Sequence, residues 1–230
     1  MTDNGSFTQS VFWLDLGICD FNQTLIIQKQ LHERRINNNI PDTLIFVEHP
    51  PVITFGKSGN NRNLLAPIEK LKKQRIAIYH IERGGDVTFH GPGQLVGYPI
   101  FHIKESFAGI KPMIEKLQSA IIMMLRDFGI YAQVKSKFIG VWVGDDKIAS
   151  IGIAVKKWVS FHGFALNVNT DLSYFDLIIP CGLKAIKMTS MAKILKQKIP
   201  LTEVKNRLIL NLEKVWQKKF QRKSLAELTA

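Results

Sequence analysis

The order of apolar and polar residues divides the chain into short β-like stretches and four amphipathic helical ones. Val11 to Leu16 alternates aromatic and acidic character as an early or edge strand does. Asp20 then stands where a cap is needed for a helix running to about Arg35, with Leu25, Gln28, Leu31 and His32 on related faces, and N-N-N-I-P-D ends it. Thr43 to Glu48 and Pro51 to Phe55 read as two short strands interrupted by Pro50 and Pro51, followed by a polar loop from Gly56 to Asn63. Ile76 to Ile81 and Leu95 to Ile100 are strand-like and flank a glycine-rich run. Pro112 suits the first residue of a helix whose Ile114, Leu117, Ile121, Met124, Leu125 and Phe128 follow the 3.6-residue period, and Gly129 suits a left-handed stop. Ile130 to Val168 predicts an antiparallel meander: Ile139 to Val143, a turn at 144 to 146, Lys147 to Val155, a turn at Lys156-Lys157, then Trp158 to Val168. Two final helices are predicted over roughly Ser190 to Gln197 and Thr202 to Lys219, with Val204, Leu208, Leu212, Val215 and Trp216 turned inward.

A chain of 230 residues with 46% hydrophobic content can bury a full core, and no break in composition calls for a second, so one domain over 1–230 is expected. The net charge of +12 is uneven: twelve Lys or Arg lie between Lys184 and Lys223, against Glu203 and Glu213. Such a field attracts an acidic partner. Aromatic residues for base stacking are not interleaved there, which disfavours nucleic acid. No apolar run reaches the ~20 residues that span a bilayer, and M-T-D-N-G-S-F-T-Q-S lacks a signal core, so a cytoplasmic protein without membrane attachment is expected. Two cysteines are too few for a disulfide framework, and six histidines without HExxH spacing give no expectation of a metal.

The most informative run is R-G-G-D-V-T-F-H-G-P-G-Q at 83 to 94. Four glycines in twelve positions predict a loop shaped for a ligand, with Arg83, Thr88, His90 and Gln94 as polar contacts, although an ordinary Ω-loop has the same composition. The order is strand, loop, strand, unlike the strand, loop, helix order of nucleotide-phosphate motifs. Cys181 stands in L-I-I-P-C-G-L, and Lys147 opens the otherwise apolar or small K-I-A-S-I-G-I-A-V. Taken singly, these two read as a filler thiol and a snorkelling amine. Taken together, an ammonium about 4 Å from a thiolate at an effective dielectric near 20 contributes about 4 kcal/mol, enough to bring a thiol from ~8.5 to below neutrality. Cys19 has no such frame and reads as filler.

The runs at 83 to 95, K-I-A-S-I-G-I at 147 to 153, S-F-H-G-F-A-L-N-V at 160 to 168 and I-P-C-G at 179 to 182 resemble the lipoyl(octanoyl) transferases, as do L-H-E-R-R at 31 to 35 and H-P-P-V-I-T-F-G-K at 49 to 57. The likeness covers about 11 to 190, with Phe21 where a tyrosine is expected. It implies an α/β (α+β) fold of the biotin and lipoate protein ligase kind, with a mixed, largely antiparallel sheet flanked by helices. It further implies transfer of an octanoyl group from acyl carrier protein to a lysine of lipoyl domains, those of 2-oxoacid dehydrogenase E2 subunits and the glycine cleavage H protein, without cofactor or metal. Cys181 is then the acyl-thioester nucleophile and Lys147 the residue that lowers its pKa. Arg83, Gly84, Gly85, Asp86, Val87, Thr88, Phe89, His90, Ser150, Ile151, Gly152, Gly163, Phe164 and Ala165 are the implied substrate-binding positions. Backbone amides near Gly152 or Gly182 are candidates for holding the oxyanion. The competing readings are an ATP-dependent lipoate or biotin ligase on the same scaffold, which needs no cysteine, and a non-catalytic carrier-binding module.

Overall fold

The computed structural model describes residues 10–180 and 186–229, so Cys181 and Gly182 lie outside the described residues. Strand β1 (Ser10–Ile18) leads into helix α1 (Phe21–Ile36), whose first amides at Asn22 and Gln23 donate to Asp20 Oδ1 as the cap predicted. Strands β2 (Thr43–Glu48) and β3 (Val52–Phe55) follow, then helix α2 (Ile68–Lys73), β4 (Ala77–His80), β5 (Val87–His90) and β6 (Gln94–Ile100). Helices α3 (Ile103–Phe107) and α4 (Ile110–Arg126) precede a run of strands: β7 (Gln133–Lys135), β8 (Phe138–Val143), β9 (Asp146–Lys156) and β10 (Val159–Asn167). Helices α5 (Met191–Leu195) and α6 (Leu201–Trp216), strand β11 (Lys219–Arg222) and helix α7 (Leu225–Thr229) complete the order.

Eight strands form one sheet in the order β11-β1-β2-β6-β10-β9-β8-β7. The β11–β1 and β1–β2 pairs are parallel and the rest antiparallel, which is the mixed, largely antiparallel sheet expected. Residues of α4 and α6, among them Leu117, Ile121, Met124, Leu208 and Leu212, bury one face of it. Leu31 of α1 and Leu228 of α7 belong to the core on the other face. A second sheet, β4-β3-β5, packs with Leu71 of α2 and with Phe175 and Leu177 of a 3-10 segment around a third cluster.

Four of the departures from the sequence pattern have a visible physical reason. The glycine-rich run is not all loop: Val87–His90 is a fully buried strand, because its four residues pair antiparallel with β3. Helix α4 begins at Ile110 after Gly109, which places Pro112 in the first turn, where its missing N–H costs nothing. The β9–β10 turn falls one residue later than predicted, at Lys157 and Trp158, both with positive φ as a two-residue hairpin turn requires. Gln217, in the left-handed region, ends α6 at Trp216, and the chain that the helical period carried to Lys219 instead adds β11 to the sheet edge.

Candidate active site

A cavity partly open to solvent lies where the glycine-rich segment crosses β9 and β10. The crossing is held by Gly84 N–H, which donates to the Ile153 carbonyl at 3.2 Å. Gly152 has to be glycine for this approach, since a methyl there would sit 2.7 Å from the Gly84 carbonyl oxygen and 3.3 Å from Arg83 Cδ. Thirteen of the implied substrate positions line this one cavity: Arg83 to Thr88, His90, Ser150 to Gly152 and Gly163 to Ala165, together with Lys147. Phe89 does not. Its side chain stacks on Tyr174 at 4.6 Å in the third core cluster, as alternation along β5 dictates.

Lys147 reaches the cavity because the sheet is bulged beside it. Val141 of β8 pairs with Ala149 of β9 but Trp142 pairs with Lys147, so Ile148 is an extra residue. Both Ile148 and Ala149 are buried in the core against α4 and α6, and Lys147 is turned to the opposite face with Ser150 and Gly152. In an unbroken strand, Lys147 and Ser150 would point to opposite faces. Lys147 is 3% exposed. Its N–H donates to the Lys187 carbonyl at 2.8 Å, and its carbonyl accepts from Thr189 N–H at 3.0 Å. The chain that follows 181–185 is thereby tied to the start of β9, while on the near side Ile179 N–H donates to the Asn63 carbonyl at 2.7 Å.

Several predicted polar contacts are used by the protein itself. Arg83 Nη2 donates to the Thr54 carbonyl at 2.6 Å and Nη1 to the Gly84 carbonyl at 3.0 Å, so the guanidinium braces the loop it stands in. The Asp86 carboxylate accepts from Val87 N–H at 2.7 Å, from Asn60 N–H at 3.0 Å and from the Asn63 side-chain amide, which joins the polar loop after β3 to the glycine-rich segment. Gln94 donates to the Phe89 carbonyl at 3.2 Å and to Asn167 Oδ1 at 2.9 Å, so its own oxygen accepts from His90 Nδ1–H at 2.7 Å. Asn167 in turn donates to the Thr189 carbonyl at 3.0 Å. The row fixes the His90 tautomer and leaves a lone pair on Nε2.

Phe21, Ile81, Val96, Tyr98 and His162 also line the cavity. The S-F-H-G run carried the signal for His162, and Phe21 stood out by replacing a tyrosine. His49 Nδ1–H donates to the Cys19 carbonyl at 2.8 Å and its Nε2 accepts from the Tyr98 hydroxyl at 2.8 Å. Burial holds these imidazoles neutral, taking His49 and His162 down to about 4 and His90 to about 3, and it pushes the Tyr98 phenol upward. The wall therefore combines neutral imidazoles and apolar surface with three charged side chains, Lys147, Arg83 and Asp86, as suits an acyl chain with one polar end. Among the described residues no cluster of three or more His, Cys, Asp or Glu side chains could hold a metal ion, and no helix is long and apolar enough to cross a membrane.

Residues 20–213 match the family model of the lipoyl protein ligase A/B catalytic domain. An octanoyltransferase of Syntrophobacter fumaroxidans is 45% identical over 222 residues, covering 96% of this chain and 97% of the relative. One from Dictyoglomus turgidum is 50% identical over 185 residues, covering 80% and 78%. Among solved structures, a putative lipoate protein ligase from T. acidophilum has a TM-score of 0.73 at 17% identity, covering 96% of this chain and 92% of its own. Biotin protein ligase from Aquifex aeolicus has a TM-score of 0.52 at 13% identity, with 91% and 69% covered. At these identities the two structures establish the shared fold and nothing more.

Proposed function

The chain belongs to the lipoyl protein ligase A/B catalytic-domain family and is an octanoyltransferase, and from that footing we propose that Cys181 carries the octanoyl group as a thioester between acyl carrier protein and the lysine of a lipoyl domain. The observation that supports this reading most is the bulged start of β9, which turns the Lys147 side chain into the cavity, beside a chain segment that continues from Cys181.

In the first half of the reaction the Cys181 thiolate attacks the carbonyl carbon of the donor thioester. The bond to the pantetheine sulfur breaks, and that sulfur takes a proton from the Lys147 ammonium. Lys147 is then neutral and stands at the new thioester. In the second half it takes a proton from the incoming lysine, whose amine attacks the thioester carbonyl. The amide forms, the Cys181 thiolate departs, and the remaining amine proton goes to solvent. Thioester to amide is downhill, so the sequence of steps needs no ATP. Arg83, Gly84, Gly85, Asp86, Val87, Thr88 and His90, with Ser150, Ile151, Gly152, Gly163, Phe164 and Ala165, form the walls that hold the acyl chain and its carrier arm. Acceptors are the lipoyl domains of 2-oxoacid dehydrogenase E2 subunits and the glycine cleavage H protein.

The test is transfer from octanoyl-carrier protein to a purified lipoyl domain. Transfer is expected to proceed without ATP and to stop on thiol alkylation or in Cys181→Ala; dependence on ATP, or full activity in Cys181→Ala, would overturn the reading.

A further inference from the structure

Two residues of β8 touch Lys147 in ways that ordinary strand packing does not require. The Lys147 ammonium lies over the indole of Trp142, 5.4 Å from the ring centre. Trp142 is 1% exposed, and its indole N–H has no hydrogen-bond partner among the described residues. A buried donor without a partner is a cost that a phenyl or aliphatic side chain would avoid, so the large ring face is the feature this position uses. The second residue is Gly140, two positions earlier and on the same face. A methyl there would collide with Lys147 Cε and with the Ala149 carbonyl oxygen, and would sit 3.2 Å from Nζ. Its φ of +140° is moreover one that few other residues adopt. Gln118 holds the spot from behind by donating to the Gly140 carbonyl at 2.9 Å. A second ammonium, Lys135, lies 4.8 Å from the same ring centre and is paired with Asp145 at 2.6 Å, so it adds little net charge to the berth.

We propose that Gly140 and Trp142 are positioning residues for the reacting amine: the ring face attracts the Lys147 ammonium, and the missing side chain at 140 leaves the space in which it lies. The inference rests on the reading of Lys147 as the partner of the Cys181 sulfur and adds what keeps that amine in place. The bulge at Ile148 aims the side chain, the glycine gives it room and the indole fixes its charged end.

The experiment reads the thiolate directly, as the rate of iodoacetamide alkylation of Cys181 against pH, with peptide mapping to separate it from Cys19. Four variants are compared with the unaltered protein: Lys147→Met, Gly140→Ala, Trp142→Leu and Trp142→Phe. Gly140→Ala and Trp142→Leu are expected to move the alkylation midpoint up by about one pH unit, with alkylation at pH values below the midpoint slowed about fivefold to tenfold. Trp142→Phe keeps a ring face and is expected to restore most of the difference. Far-UV dichroism of the same samples reads folding, and the contrast between leucine and phenylalanine at one buried apolar position separates charge placement from packing. If Lys147→Met moves the midpoint while Gly140→Ala and Trp142→Leu titrate as the unaltered protein does, the positioning role is wrong. If Lys147→Met itself moves nothing, the amine and sulfur pairing fails first.

Discussion

Burying a lysine beside apolar walls is costly unless something meets its charge, and at Lys147 the indole face of Trp142 does so in part. Other side chains at the cavity follow the same logic of commitment. Arg83 and Gln94 carry the hydrogen-bonding capacity of ligand contacts, yet their donors go to Thr54, Gly84, Phe89 and Asn167, and the result is a rigid wall. Gly152 belongs to this class, because its bare Cα lets the glycine-rich segment close on β9. Replacing it with alanine is expected to push Gly84 and Arg83 outward and lower kcat/KM by about 10-fold to 100-fold, since a displacement near 1 Å at a reacting centre has effects of that size. Steady-state kinetics with octanoyl-carrier protein check this, and an unchanged kcat/KM would mean that the crossing does not shape the site. At this scale the place of Lys147 at the cavity was legible, because a lysine on an apolar strand is unusual, whereas Cys181, singled out by its proline and glycine frame, lies outside the described residues. The tautomer of His90 was not, for it depends on Gln94 and Asn167, residues brought together only by the pairing of β6 with β10.

Among the elements, long periodic segments were legible and short ones were not. α1 and α6 begin close to where their caps and periods predict, and Gly129 takes the left-handed conformation expected of it. β5 escaped because four residues between glycines carry too little pattern, and its strand character comes from its partner β3. β11 escaped for a similar reason: Lys219–Arg222 is polar and mostly exposed, and only the parallel register with β1 makes it a strand. The bulge in β9 has no mark in K-I-A-S-I-G-I beyond an apolar pair, Ile148 and Ala149, where alternation calls for one inward residue. That irregularity turns Lys147 from the core face to the cavity face, so the feature with the most bearing on chemistry was the least visible in the pattern.

For the molecule as a whole, the basic C-terminal fifth is less of a free field than its composition suggests. Lys205 pairs with Asp15 at 2.7 Å, Arg207 with Glu203 at 3.0 Å, Lys218 with Asp42 at 3.3 Å and Lys223 with Glu227 at 3.0 Å. The buried histidines have a global consequence of their own. His49, His90 and His162 are held neutral with pKa values of about 4, 3 and 4, against 6.5 in an unfolded chain, so below pH 6.5 the unfolded state binds more protons. Stability is therefore complete above pH 6.5 and is lost as the pH falls towards 4, by about 2 kcal/mol per histidine on reaching pH 5. Urea unfolding at pH 7 and pH 5 is expected to show that loss, and equal stability at the two values would contradict the burial of neutral imidazoles. Whether the octanoyl group passes through one sulfur is decided by intact-mass analysis with peptide mapping, after mixing with octanoyl-carrier protein and no acceptor. A single hydroxylamine-labile octanoyl adduct is expected on Cys181, disappearing when a lipoyl domain is added; turnover with no adduct, or an adduct on any other residue, would rule out the thioester route.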